Sequence, residues 1–215
     1  MKLRRTIAVA SAAVALTVGL GLGLAPAAQA AAPTGTRSLA TVLAKDTSGF
    51  DHRSGDFDIL TAAVTAVLQA KPSSPVAVLA DGKVPLTAFL PTDNAFRKLA
   101  FDLTHHWYWS EQKVFTTLAT TVGIDGIEQV LLYHVVPGVT IDSRTALRSD
   151  GAVLTTAQGG TFRVDVVCRW AHVVRLVDNA PHVRDPYLVR GKLDINKGNV
   201  QIAHAITRVL LPSDV

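Results

Sequence analysis

A single cysteine, Cys168, stands in 215 residues. No intramolecular disulfide can form, so packing alone must hold the fold. Cys168 follows Phe162, Val164 and Val166 in an alternating run, which predicts a buried structural thiol. Charge is scarce too: Asp, Glu, Lys and Arg make up 18% of the chain, with no Lys/Arg-rich block. That absence removes the footprint of a nucleic-acid binder or of a protein drawn to an acidic membrane. No G-x-S-x-G, H-E-x-x-H, phosphate loop or dinucleotide fingerprint occurs, so the expectation is a protein that is not an enzyme. Repeats at solenoid periods are missing as well. What is present is apolar: 48% of the residues are hydrophobic, too many for a disordered chain.

The N-terminus has the layout of a signal peptide. Lys2, Arg4 and Arg5 precede an uncharged run at 6–24, followed by Pro26 and Ala28-Gln29-Ala30, and this order predicts cleavage after Ala30. An uncleaved anchor is the competing reading, because the run nearly reaches bilayer length. Arg4-Arg5 also suits twin-Arg export. Cleavage lowers the formal charge from +4 to +1, with 18 basic against 17 acidic residues left. The expected organisation is a signal peptide at 1–30, a short lead-in at 31–37 and one domain at 38–213. Such a chain is secreted or held at the cell envelope, with no stable membrane insertion after cleavage. Its length suits one sizeable core.

The first half of the domain reads as helices. Ser38 caps a short helical pattern, and Asp56 or Asp58 caps a stronger one with Ile59, Leu60, Ala63, Val64, Val67 and Leu68 on its apolar side. Residues 72–85 read as a loop containing a short strand at 76–79. Leu86-Thr87-Ala88-Phe89-Leu90 is a compact strand ended by Pro91; Thr92 or Asp93 then caps a helix that projects Phe96 and Leu99 from one face. Another helix starts at Ser110-Glu111 and closes at Gly123. The next opens with Asp125 and Glu128 at the capping-box spacing and runs to Tyr133-His134, where Pro137 and Gly138 forbid continuation. From 152 the period becomes two. Runs at 153–156 and 161–167 flank the turn Gln158-Gly159-Gly160, 172–177 alternates again, 187–189 is a short strand, and 200–211 has the length of a long central strand. The class is α+β: one domain, with helices mainly in the N-terminal half packed on a sheet formed largely by the C-terminal half.

Two constellations carry the candidate site. His134 continues the stripe of Ile127 and Val130 or Leu131, which predicts a hydrogen-bonded core histidine. Tyr133 lies about 100° further round the helix and is expected to be half exposed, with a polar tip available for recognition. The run His105-His106-Trp107-Tyr108-Trp109 holds three of the six Trp and Tyr residues. Its adjacent histidines diverge by about 100° on a helix and offer no HxH or HxxxH spacing, so no metal is expected there. Its aromatics divide between core and a contact patch, and both readings stand. The candidate binding residues are therefore Trp107, Tyr108, Trp109 and Tyr133.

Three separated stretches resemble one family, the fasciclin (FAS1) domain. Leu86-Thr87-Ala88-Phe89-Leu90-Pro91-Thr92-Asp93-Asn94-Ala95-Phe96 is similar to its first signature. Tyr133-His134, followed by Val135-Val136-Pro137-Gly138, resembles its Tyr-His motif, and His204-Ala205-Ile206-Thr207-Arg208-Val209-Leu210-Leu211-Pro212 its second signature. Pro91, Thr92, Asp93, Phe96, His134, Pro137, Gly138, His204, Arg208 and Pro212 are the motif positions. Two features depart from the pattern. Gly198-Asn199 stands upstream of the usual Asn-Gly turn, and Thr207 replaces the acidic residue that usually precedes the arginine.

The resemblance implies an extracellular α+β domain that works by binding, in cell adhesion or matrix contact, without cofactor or catalysis. In animal members the Tyr-His region is associated with integrin. The signal-bearing chain looks bacterial, so a surface polysaccharide, another envelope protein or a host or neighbouring cell surface is the expected partner. A second function class is a carrier of a small hydrophobic ligand in an apolar cleft.

Overall fold

The computed structural model describes residues 33–214; the expected signal peptide at 1–30 lies outside them. No helix among the described residues is long and apolar enough to cross a membrane.

The helical half begins with α1 (Leu39–Leu43), where the Ser38 hydroxyl accepts from Thr41 N. In α2 (Asp58–Ala70) the stripe Ile59, Leu60, Ala63, Val64 and Val67 is buried. Its cap residue is Phe57, which makes no side-chain bond, so neither Asp56 nor Asp58 caps it. The carboxylate of Asp93 does so from the next helix, accepting Asp58 N at 3.2 Å and Ile59 N at 2.9 Å. That engagement takes Asp93 away from its own helix, α3 (Asp93–Thr104), whose cap residue Thr92 also makes no side-chain cap bond. Pro75–Ala80 is a 3-10 helix rather than a strand: the Ser74 hydroxyl accepts Val76 N, and Pro75 sits where its missing amide is not needed.

Gly123 divides α4 (Glu111–Tyr133) into two arms at φ 69° and ψ 173°, a backbone conformation that favours glycine. The first arm buries Val114 and Leu118, the second Ile127 and Leu131, each pair one turn apart. The capping box at Asp125 and Glu128 does not form. Both carboxylates turn instead to Lys71 Nζ beyond the end of α2, Asp125 at 2.7 Å; a charged amine offers a stronger bond than an amide.

Two three-stranded sheets complete the domain. In the first, β1 (Leu86–Pro91) lies between β2 (Val135–Pro137), antiparallel, and β6 (Gln201–Ile206), parallel. All six residues of both β1 and β6 are buried, as expected for parallel neighbours covered on both faces. The middle of this sheet thus comes from the N-terminal half, not from the 200–211 run. β6 is also shorter than its apolar sequence suggests. After Ile206 the chain leaves the ladder: the Thr207 hydroxyl accepts Tyr187 N at 2.9 Å and Arg208 reaches Asp102 at 2.7 Å.

The second sheet is the antiparallel meander β3 (Val153–Thr155), β4 (Thr161–Cys168) and β5 (Val173–Val177), and residues 187–189 add only isolated bridges. A register shift between Asp165 and Cys168 breaks the alternation, so Cys168 is half-buried and not a core thiol. Bulges reorient side chains in this way. Between β2 and β3 lies α5 (Ser143–Ala146), capped by Asp142.

Two apolar clusters follow from these layers. One joins α1 to α4 with β1, through Ile59, Val67, Leu90, Leu118 and Leu131. The other fills the space between the sheets, with Phe89, Tyr133, Phe162, Val174 and Leu210. Residues 33–37 are bonded to the domain rather than trailing from it: Gly35 N donates to Gly198 O at 3.0 Å and Val200 N to Gly35 O at 2.9 Å. A Cβ on Gly82 would lie 1.8 Å from Thr36 O, so only glycine admits this crossing.

Candidate functional site

Most of the family motif positions sit in the interior, while Pro137 and Gly138 are exposed and Arg208 and Pro212 half-buried. Pro91 is the last residue of β1, Phe96 is buried on α3, and the motif histidines are inside. His204 Nε2 donates to Ile141 O at 2.8 Å while its Nδ1 accepts Asp194 N at 3.2 Å. His134 Nδ1 donates to Val130 O at 2.7 Å and its Nε2 accepts Leu210 N at 2.9 Å. Both rings are held as single neutral tautomers, and burial pushes both below the usual imidazole range. Pro137 is the last residue of β2, opposite Leu86, and Gly138, at φ 79°, donates its amide to Pro85 O at 2.8 Å. Arg208, without an acidic neighbour at 207, finds its carboxylate in Asp102.

His134 gives a pH prediction with a definite sign. Its folded value is lowered from 6.5 to about 4 by burial, against the bond to Val130 O. The unfolded chain therefore takes up a proton as pH falls through 6.5, and the folded chain does so only near 4. Stability from this group is fully present above 6.5 and is lost on acidification between those values, a total of roughly 3 kcal/mol. Asp178, raised from 3.8 to about 6 by burial, acts in the opposite sense over its own window. The comparison is therefore wild type against His134→Gln, in urea titrations from pH 7.5 to 4.5. The wild-type advantage should shrink steadily as pH falls; a constant difference would contradict the assignment.

Tyr133 is not half exposed: it is fully buried. The helix end enters between the two sheets, so the face 100° from His134 is covered by β4 rather than by water. Its hydroxyl donates to Thr161 O at 2.6 Å, its ring packs edge-on to Phe162, and a Cβ on Gly160 would come within 2.9 Å of that ring. Tyr133 leaves the set of candidate contacts.

The aromatic run divides as its position dictates. His105 ends α3 in the left-handed conformation, φ 55°, with its amide on Phe101 O at 2.7 Å. An irregular stretch then leads to Ser110, whose hydroxyl caps α4. Tyr108 is half-buried against the first core cluster. Trp107 is half-buried and lies 6.3 Å from the Phe101 ring and 6.2 Å from the Trp109 ring. Trp109 is 78% exposed, and its carbonyl accepts Arg97 Nη2 at 3.0 Å. A groove of about 550 Å³ adjoins this corner, lined by Phe101, Asp102, His105, His182, Arg184 and Arg208.

Two further features lie outside the contacts expected from the sequence. Trp170 is 88% exposed at the turn between β4 and β5. Its place between two alternating runs was the available signal, since a hairpin tip faces solvent. The other is the ion pair of Arg97 and Glu111, 2.9 Å apart with both side chains buried. It joins residues fourteen apart on different helices, which no periodicity marks. Around it lie Asp51, Asp56, Asp58 and Asp93; burial raises Asp58 and Glu111, and with a hydrogen bond to Asp56 it pushes Asp93 up to about 8.

The apolar cavity nearest to a ligand cleft, lined by Ile59, Phe96, Leu99, Leu118 and Leu131 among others, has a volume of about 60 Å³. Small-molecule sites run to roughly 300–1,000 Å³.

A family model of the fasciclin domain matches residues 57–212, and the chain belongs to that family. Among 14 matching chains of solved structures is a FAS1 domain pair from the insect cell adhesion molecule fasciclin I. It is 17% identical, with a TM-score of 0.50, over 79% of this chain and 50% of that one. The likeness shows the fold, and this chain spans half the length of that domain pair. No curated protein matches it in sequence.

Proposed function

We propose that this protein is a secreted, non-enzymatic adhesion domain that contacts a surface polysaccharide or envelope protein through Trp109. The observation carrying this reading is a large aromatic side chain, 78% exposed, on a backbone fixed by a buried arginine. Loose aromatics on loops lose entropy on binding, whereas an anchored one is preorganised. Phe101 and Trp107 extend the aromatic surface, and the adjoining groove supplies the charged and polar groups that give orientation. Net charge is too small to drive association by itself. The insect cell adhesion molecule of the same fold supports the adhesive reading by analogy. A hydrophobic-ligand carrier is disfavoured, because the apolar cavity would need to grow severalfold to admit one.

The test is binding of the secreted chain to isolated envelope fractions and purified surface glycans. Trp109→Ser should weaken binding at least about tenfold, roughly 1.4 kcal/mol, with circular dichroism and melting temperature nearly unchanged. Retained affinity would move the contact elsewhere, with Trp170 the next side chain to replace. Loss of binding after protease treatment of the fraction identifies a protein partner, and loss after glycan digestion a polysaccharide.

A further inference from the structure

Five carboxyl groups converge where three helices begin. Asp51 and Asp56 come from the loop before α2, while Asp58, Asp93 and Glu111 are the first residues of α2, α3 and α4. Asp51, Asp56 and Glu111 each bring one oxygen within 4.8 Å of the other two, and Asp56, Asp58 and Asp93 form a second set at the same spacing. Asp56 is common to both. Asp58, Asp93 and Glu111 are 6%, 0% and 1% exposed.

Hydrogen bonds explain only part of this arrangement. Asp93 holds the first amides of α2, and Glu111 Oε1 holds Arg97. Arg53 reaches Asp51 from the solvent side at 3.7 Å. Asp56 Oδ1, Asp58 Oδ2 and Glu111 Oε2, however, are buried without any partner among the described residues. An unpaired buried carboxylate oxygen is strongly unfavourable, and mutual repulsion of several adds to it. One buried guanidinium does not balance five acids.

We propose that this cluster binds a calcium ion, with Asp51, Asp56 and Glu111 as its carboxylate ligands and Asp58 and Asp93 beside them. A set of carboxylate oxygens without nitrogen or sulfur selects a hard cation. Calcium takes six to eight oxygens in adaptable geometry, whereas magnesium demands a near-ideal octahedron and keeps its waters. A groove of about 380 Å³, lined by Asp46, Gly49, Phe50 and Asp58, gives an entry path. The bound ion ties the loop before α2 to the start of α4. Through Glu111 and Arg97 it also steadies the backbone under Trp109. This site departs from the expectation of no metal, which considered only the histidines at 105 and 106.

The experiment uses the secreted chain stripped with chelator, followed by calorimetric titration and thermal melting with calcium chloride, then magnesium chloride. At about 5 mM calcium the melting temperature should rise by about 3–8 °C, with saturable heat at one equivalent and an affinity for magnesium at least tenfold weaker. Asp56→Asn should abolish the heat and the shift while circular dichroism is retained. Should that variant fail to fold, Asp51→Asn, on a half-buried loop residue, should weaken calcium at least tenfold. Absence of heat and shift in the wild type, or an undiminished response in the substituted chain, overturns the site and leaves the acids neutralised by protons. Equal affinity for magnesium overturns the choice of calcium.

Discussion

Arg97→Met is expected to destabilise the domain by roughly 3–5 kcal/mol, the range for breaking a buried ion pair by removing one partner. Arg97 is 6% exposed and Glu111 1%, so water cannot replace the lost contact. Burial already raises Glu111, and Arg97 is the group that opposes it. Without the guanidinium that carboxylate faces Asp51 and Asp56 with nothing to offset it. At about 2–4 °C per kcal/mol for a domain of this size, the melting temperature should fall by roughly 10 °C. The double variant Arg97→Met, Glu111→Gln should recover much of the loss, since removing the charge removes most of the penalty. Urea titrations at pH 7 in the presence of chelator measure both without any contribution from bound cation. A single variant as stable as the wild type would show that water reaches Glu111.

Tyr133→Ala should lose about 3–5 kcal/mol, as other buried aromatics do when truncated. The ring fills the space that Gly160 leaves open, and the cavity cannot close because β4 is fixed by its ladders to β3 and β5. Tyr133→Phe separates ring from hydroxyl: it should lose only about 1–2 kcal/mol, the contribution of the bond to Thr161 O plus an orphaned buried carbonyl. Burial pushes the phenol up to about 12, so the ring stays neutral through any practical range and the variants can be compared at one pH. Equal stability of the alanine variant and the wild type in denaturant would mean that the second apolar cluster is not where the structure puts it.

These two residues mark what the sequence could and could not disclose. Helix stripes such as Ile59-Ala63-Val67 were legible because one face of a helix meets the core at a fixed period. The β3–β4 hairpin was legible from its Gly-Gly turn and its alternation. His134 was legible by the same stripe argument. Tyr133 was not, because the rule that the opposite flank meets solvent holds for a helix with one neighbour, and this one ends between two sheets. β6 misled in length for a related reason: buried residues after a strand are as apolar as those within it, so Leu210 and Leu211 look like ladder positions. Caps misled most. Asp93, Asp125 and Glu128 sit at cap spacings, yet each found a partner on another element, and local spacing carries no information about that competition. The acidic cluster was invisible for the same reason, since Asp58, Asp93 and Glu111 are brought together only by the packing of three helices.

On the proposed reading the buried Tyr-His pair builds the domain, while recognition belongs to the exposed corner at Trp109. The two roles separate in a side-by-side determination of melting temperature and envelope-binding affinity for Trp109→Ser and Tyr133→Phe. The serine variant is expected to melt with the wild type and bind at least about tenfold more weakly, while the phenylalanine variant should melt several degrees lower and bind as the wild type does. Binding lost in the phenylalanine variant and kept in the serine variant would contradict that reading.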